Sequence, residues 1–167
     1  MILYLDTSAY VRVYIREAGH DLIWDATQNA SEVATHLIAY AEMRAALARM
    51  QRMGRLIAAE TDTIKETFEQ DWRTTAKLMP TEAMIRRAGE LAERFGLRGY
   101  DSVHLAAAES LLVGHGKDIL HFASFDHALN EAAEMLGLRL LTAGGSRGFH
   151  GAPERGSVGC RRGAAVR

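Results

Sequence analysis

Ile2-Leu3-Tyr4-Leu5-Asp6-Thr7-Ser8 opens the chain with an apolar run that turns abruptly polar. Four β-compatible apolar residues in succession read as a strand buried on both faces, and Asp-Thr-Ser is a helix-starting cluster. A strand that feeds directly into a helix is half of a parallel crossover unit. The same pattern returns at 32–36, where Val33 and Thr35 suggest a strand, followed by Tyr40, Met43, Leu47 and Met50 at helical spacing within 37–53. It returns again at 119–125, a predicted strand that leads to Asp126, a helix over 127–136 and a last short strand over 138–141. Further helices are expected over 8–16, 20–28, 62–78, 81–95 and 101–112, with Pro80 separating the two long ones. Strands that alternate with helices predict an α/β fold with a mostly parallel sheet of four or five strands covered on both faces.

The chain of 167 residues with 48% hydrophobic content is sized for one globular domain with a substantial core. No run approaches the roughly 18 apolar residues of a spanning helix. The opening strand carries Asp6 where a signal peptide needs a longer apolar stretch, so a cytoplasmic protein with no membrane partner is expected. Cys160 is the only cysteine, which excludes a disulfide framework or a cysteine zinc cage within one chain. The formal charge of −1 divides unevenly, because residues 144–167 hold five Arg against one Glu and the preceding residues are net acidic. Bulk charge therefore gives no support for nucleic-acid binding, which would need a local basic patch. The segment 144–167, with seven Gly and little apolar content, reads as a flexible tail after a domain over 1–143.

Chemistry concentrates on acids. Asp6 and Asp126 each follow a predicted strand, and in open parallel sheets the carboxyl ends of strands border the ligand crevice. Each is also a natural helix cap. Asp101 shares a helical face with His104, Leu105, Ala108, Leu111 and Leu112, so a carboxylate extends a core-facing stripe. A buried, unpaired carboxylate costs several kcal/mol, and a cation is the expected compensation; the alternative is an acid favoured by the helix dipole. Glu42 is rotated away from the apolar stripe of its helix and, taken alone, reads as a solvated surface residue beside the small Ala41, Ala45 and Ala46. His104, on an apolar face, reads as a hydrogen-bonded core histidine, and the remaining histidines show no metal-ligand spacing. Hard oxygen donors suit Mg²⁺ or Mn²⁺ rather than zinc. Such an ion polarises a phosphate oxygen and activates water.

Four segments in order resemble the PIN-domain ribonucleases, and within them the VapC-type toxins of bacterial toxin–antitoxin pairs. They are Leu-Asp-Thr-Ser-Ala-Tyr-Val-Arg-Val-Tyr-Ile-Arg-Glu-Ala-Gly at 5–19, Ala-Glu-Met-Arg-Ala-Ala-Leu at 41–47, Leu-Arg-Gly-Tyr-Asp-Ser-Val-His-Leu-Ala-Ala-Ala at 97–108, and Phe-Ala-Ser-Phe-Asp at 122–126. The resemblance implies a three-layer α/β/α domain and metal-dependent endoribonuclease activity that leaves a 5′-phosphate and a 3′-hydroxyl. It implies Asp6, Glu42, Asp101 and Asp126 as catalytic residues and ligands of Mg²⁺ or Mn²⁺, with Ser8 and Ser124 as polar support. It further implies RNA as substrate, a small antitoxin as partner, and a homodimer. The Gly- and Arg-rich tail departs from the family pattern.

Arg12, Arg16, Arg44 and Arg98 lie near these motifs and are candidates to hold RNA phosphates, with solvated or ion-paired roles as the alternative. Two other functions compete with the nuclease. A haloacid-dehalogenase-like phosphohydrolase would use Asp6 as nucleophile, but the acid expected two residues later is replaced by Ser8. A catalytically silent PIN-like module would bind RNA or a protein without turnover, against which all four acids are intact.

Overall fold

The computed structural model describes residues 1–142. The expected tail over 144–167, with Cys160, lies outside the described residues. Five strands, β1 (Ile2–Leu5), β2 (Glu32–His36), β3 (Ala76–Leu78), β4 (Leu120–Ala123) and β5 (Arg139–Leu140), form one sheet in the order β3-β2-β1-β4-β5. Every pairing is parallel. The helices are α1 (Thr7–Tyr14), α2 (His20–Asn29), α3 (Ala39–Arg52), α4 (Ala58–Thr74), α5 (Glu82–Phe95), α6 (Gly99–His115) and α7 (His127–Met135).

The alternation of side chains along β1 builds the three layers. Leu3 and Leu5 face a core completed by Tyr10 and Val13 of α1, Ile23 of α2, Met43 and Leu47 of α3, and Ile64 and Phe68 of α4. Ile2 and Tyr4 face the opposite core, made with Leu91 of α5, Leu105 and Ala107 of α6, and Leu129 and Ala133 of α7. All four β1 residues are buried, as the unbroken apolar run requires. None of the described helices is long and apolar enough to cross a membrane.

The sheet has five strands because the helix expected over 62–78 divides. α4 stops at Thr74, and Ala76–Leu78 becomes the edge strand β3, paired with β2 from Ala34↔Ala76 to His36↔Leu78. The hydroxyls of Thr74 and Thr75 both bond the Asp71 carbonyl, at 3.1 and 2.9 Å, which favours leaving the helix at that point. β4 is also shorter than the expected 119–125. Its last residue is Ala123, and Ser124 turns the chain by accepting the Asp126 N–H at 3.0 Å. The helix expected over 101–112 begins two residues earlier, at Gly99, and extends to His115. The short helix expected over 8–16 spans Thr7–Tyr14, and the last strand is Arg139–Leu140.

The strand order places β1 at a reversal point. The chain runs from β1 outward through β2 to β3, then returns to β4 on the other side of β1. Ligand crevices in open parallel sheets form at such a reversal, outside the carboxyl ends of the strands.

Candidate active site

Asp6 leaves the carboxyl end of β1 and is buried. It caps α1, accepting the Ala9 N–H at 2.8 Å. Ser8 Oγ lies 2.8 and 2.9 Å from its two carboxyl oxygens, and Ser124 Oγ donates to Oδ2 at 2.8 Å. Ser8 also accepts the Phe125 N–H at 2.8 Å. The two serines therefore tie the end of β1 to the turn after β4. Burial raises the Asp6 pKa, opposed by His104 and by these hydrogen bonds.

Asp126 follows that turn as the N-cap of α7, accepting the Leu129 N–H at 2.9 Å. Capping and site geometry thus coexist at Asp6 and Asp126. Asp101 sits half-buried in the first turn of α6. Its pKa is raised by burial, then by Asp126, Asp6 and Glu42, with Arg98 pulling the other way. Asp101 therefore sits in the field of the other three carboxylates.

Glu42 differs from its sequence reading. Rather than a solvated surface residue, it is a carboxylate gripped from two sides: Thr7 Oγ1 donates to Oε2 at 2.5 Å, and His104 Nε2 lies 2.9 Å away. Burial raises its pKa, but the bonds from His104 and Thr7 outweigh that and leave it below its ordinary value. His104 is a hydrogen-bonded core histidine, and its partners matter. With Nε2–H given to Glu42, Nδ1 accepts from the buried Tyr4 hydroxyl at 2.9 Å. Tyr4 stays protonated because burial, then Asp6, hold its pKa well above the ordinary value. Sequence reasoning did not assign Tyr4 or Thr7 a role in the site. The available signal was their position, two residues before and one after Asp6.

A chain from Tyr4 through His104 to Glu42 orients the carboxylate. His104→Leu is expected to release the Glu42 carboxylate from this orientation. It also leaves the buried Tyr4 hydroxyl unpaired, at about 1–3 kcal/mol of stability. Thermal melting checks the loss of stability.

The basic candidates divide. Arg12 is committed to bracing: Nη1 donates to the Ser8 carbonyl at 2.7 Å, Nε to Ala18 at 2.9 Å, and the guanidinium stacks 3.7 Å above the Phe125 ring. The ring also packs so closely on Gly19 that a Cβ there would stand 2.3 Å from it, and Gly19 has φ +92°. A glycine is required there on both counts. Arg44 pairs with Glu69 at 3.1 Å. Arg16 and Arg98 are exposed and form no ion pair among the described residues.

Among the described residues, no three His, Cys, Asp or Glu side chains stand close enough together to hold one ion as placed. Asp6, Glu42 and Asp126 each bond partners of their own, whereas Asp101 makes no side-chain hydrogen bond among the described residues. The donor set still suits a hard divalent cation, since it consists of carboxylates backed by hydroxyls, without cysteine.

A parallel sheet between two helical layers, with Asp6 and Asp126 just past the ends of β1 and β4 and Asp101 and Glu42 on neighbouring helices, defines a class. The PIN domain family matches residues 3–134. Ribonuclease VapC45 and Ribonuclease VapC49 of Mycobacterium tuberculosis are each 33% identical over 145 residues, covering 85% of this chain and 96% of theirs. Ribonuclease VapC35 of the same organism is 27% identical over 148 residues, covering 87% of this chain and all of its own. Among solved structures, FitAcB from Neisseria gonorrhoeae shares the fold, with a TM-score of 0.55 at 17% identity over 85% of this chain and 97% of that one. The chain belongs to the PIN-domain family and, within it, to the VapC ribonucleases. Membership sets aside the haloacid-dehalogenase-like alternative.

Proposed function

We propose that this chain is an endoribonuclease, the toxin of a toxin–antitoxin pair, that hydrolyses RNA phosphodiester bonds at a centre formed by Asp6, Glu42, Asp101 and Asp126. The observation that carries this reading is the convergence of charge on Asp101: after burial, its pKa is raised by Asp126, Asp6 and Glu42, which come from separate segments. Concentrated negative charge at the carboxyl edge of a sheet is a liability for folding and an asset for holding a cation. The four carboxylates would hold Mg²⁺ or Mn²⁺, which supplies charge neutralisation at the phosphate and activation of the attacking water. Ser8 and Ser124 fix the Asp6 carboxylate, while Thr7 and His104 fix Glu42. Of the four candidate arginines, Arg16 and Arg98 are exposed and without an ion pair among the described residues, and would meet the RNA backbone, since the body's net acidity leaves that work to local charges. A small antitoxin that occludes this edge, a homodimer, and a cytoplasmic location complete the reading. Residues 1–143 form the nuclease domain.

Metal binding has a readout independent of cleavage. Both Asp101 and Asp6 have raised pKa values, so the folded protein binds more protons than the unfolded chain just above the ordinary value of 3.8. Their contribution to metal-free stability therefore falls as pH rises through that window. Asp101→Asn removes one such charge at neutral pH. Discounted for partial exposure, the gain is on the order of 1 kcal/mol, or about 2–4 °C in Tm. Wild type, by contrast, gains from cation: at one hundred times Kd, Mg²⁺ or Mn²⁺ adds about 2.7 kcal/mol. Asp101→Asn is expected to melt higher without metal, to gain less from Mn²⁺, and to leave RNA uncut. A variant that cuts RNA at the wild-type rate removes Asp101 from the centre.

A further inference from the structure

Beside the carboxylates lies a groove that neither the acids nor the core accounts for. One cavity of about 500 Å³ is lined by His36, Tyr40, Trp72 and Tyr100, with Ile85 and Val103. A second, of about 670 Å³, is lined by Glu42, Arg98 and Asp101. Ile85, Tyr100 and Val103 belong to both, so the aromatic groove runs into the acid site. Each volume lies in the range of small-ligand sites.

Two details point to a ligand. Tyr100 is 60% exposed although it directly precedes Asp101. His36, only 3% exposed, has no hydrogen-bond partner for Nε2. Its Nδ1 accepts the Ile38 N–H at 3.1 Å, so the neutral ring carries its proton on Nε2, an unused buried donor on a residue that lines the groove. Buried donors without partners are rare enough to need an explanation.

We propose that this groove is a nucleobase subsite, in which Tyr100 stacks on an unpaired base of the RNA and His36 Nε2–H donates a hydrogen bond to it. The proposal rests on the ribonuclease reading and names the part of the substrate that the same site grips. Proteins that read single-stranded RNA stack splayed bases on aromatic rings and hydrogen-bond their edges. Continuity with the acids places the base next to the phosphate being cut. Arg98, exposed at the amino end of α6 and unpaired among the described residues, offers positive charge to the RNA backbone at the same place. An acidic site that must attract a polyanion gains selectivity for single strands from such a stacking platform.

The test is binding by fluorescence anisotropy, in Mg²⁺ and with Asp6→Asn in every variant so that the RNA stays whole, of labelled single-stranded RNA homopolymers of about eight nucleotides and a base-free ribose-phosphate strand of equal length. The parent with the native groove is expected to prefer the base-bearing strands. Tyr100→Ala should lose about tenfold or more on them and nothing on the base-free strand, while Tyr100→Phe keeps the parent's preference. His36→Leu should reduce discrimination among the homopolymers. Undiminished binding by Tyr100→Ala, an equal loss in Tyr100→Phe, or an equal loss on the base-free strand overturns the subsite. So does a Tyr100→Ala variant that binds RNA normally but changes its association state by size exclusion, which would mark the groove as a protein-docking surface. Cleavage is scored separately, with Asp6 in place: base-selective binding without cleavage sinks the ribonuclease reading and leaves the subsite standing. Cleavage with no effect of Tyr100→Ala sinks the subsite alone.

Discussion

Asp6→Asn is expected to reduce RNA cleavage by about 10³-fold or more while leaving a folded protein. An interaction with a catalytic cation is worth several kcal/mol, and each 1.36 kcal/mol is a factor of about ten in rate. The substitution is nearly isosteric, and the local bonds can survive it. Asparagine caps helices as well as aspartate does, so the Ala9 N–H keeps an acceptor. The Ser8 and Ser124 hydroxyls can rotate to accept from the new amide, because a hydroxyl both donates and accepts. Burial already disfavours the charged form of Asp6, so its neutral replacement costs the fold little. Circular dichroism and a melting curve near wild type, beside a lost rate, would place the effect in the chemistry.

Phe68→Ala is expected to have the largest effect on stability, about 3–5 kcal/mol, read from urea unfolding. Phe68 is fully buried on α4 with four aromatic neighbours: Trp72 at 5.4 Å, Tyr10 at 5.5 Å, Tyr40 at 5.6 Å and Tyr14 at 5.9 Å between ring centroids. Edge-to-face contacts with Tyr10 and Tyr14 add to the area buried. No neighbour can collapse into the gap without unstacking another. Total stability for a domain is about 5–15 kcal/mol, so the loss would leave little margin. The damage reaches the site through Tyr40 on α3, the helix that carries Glu42. Phe68→Leu keeps most of the volume and should cost about 1.5 kcal/mol or less.

The order of strands and helices was legible because β1, β2 and β4 are short apolar runs and the long helices have clear periodicity. β3 was not, since three residues carry no period and its strand character comes from pairing with the free edge of β2. The places of Asp6 and Asp126 after strands and of Asp101 in the first turn of a helix were legible, which is as far as position goes. Glu42 had no local signal for engagement. What holds it is a meeting of Thr7, Glu42 and His104, residues on three helices whose proximity exists only after the sheet forms. The unpartnered His36 Nε2 was likewise invisible, because a histidine in a strand reads the same with or without a partner.

The most direct measurement is the end chemistry of cut RNA. Single-stranded RNA incubated with the protein and Mn²⁺ should be cleaved internally to give 5′-phosphate and 3′-hydroxyl ends, and cleavage should stop with a chelator and in Asp6→Asn. Cleavage that survives the chelator, persists in Asp6→Asn, or leaves 2′,3′-cyclic phosphates would contradict a metal centre built on the four carboxylates.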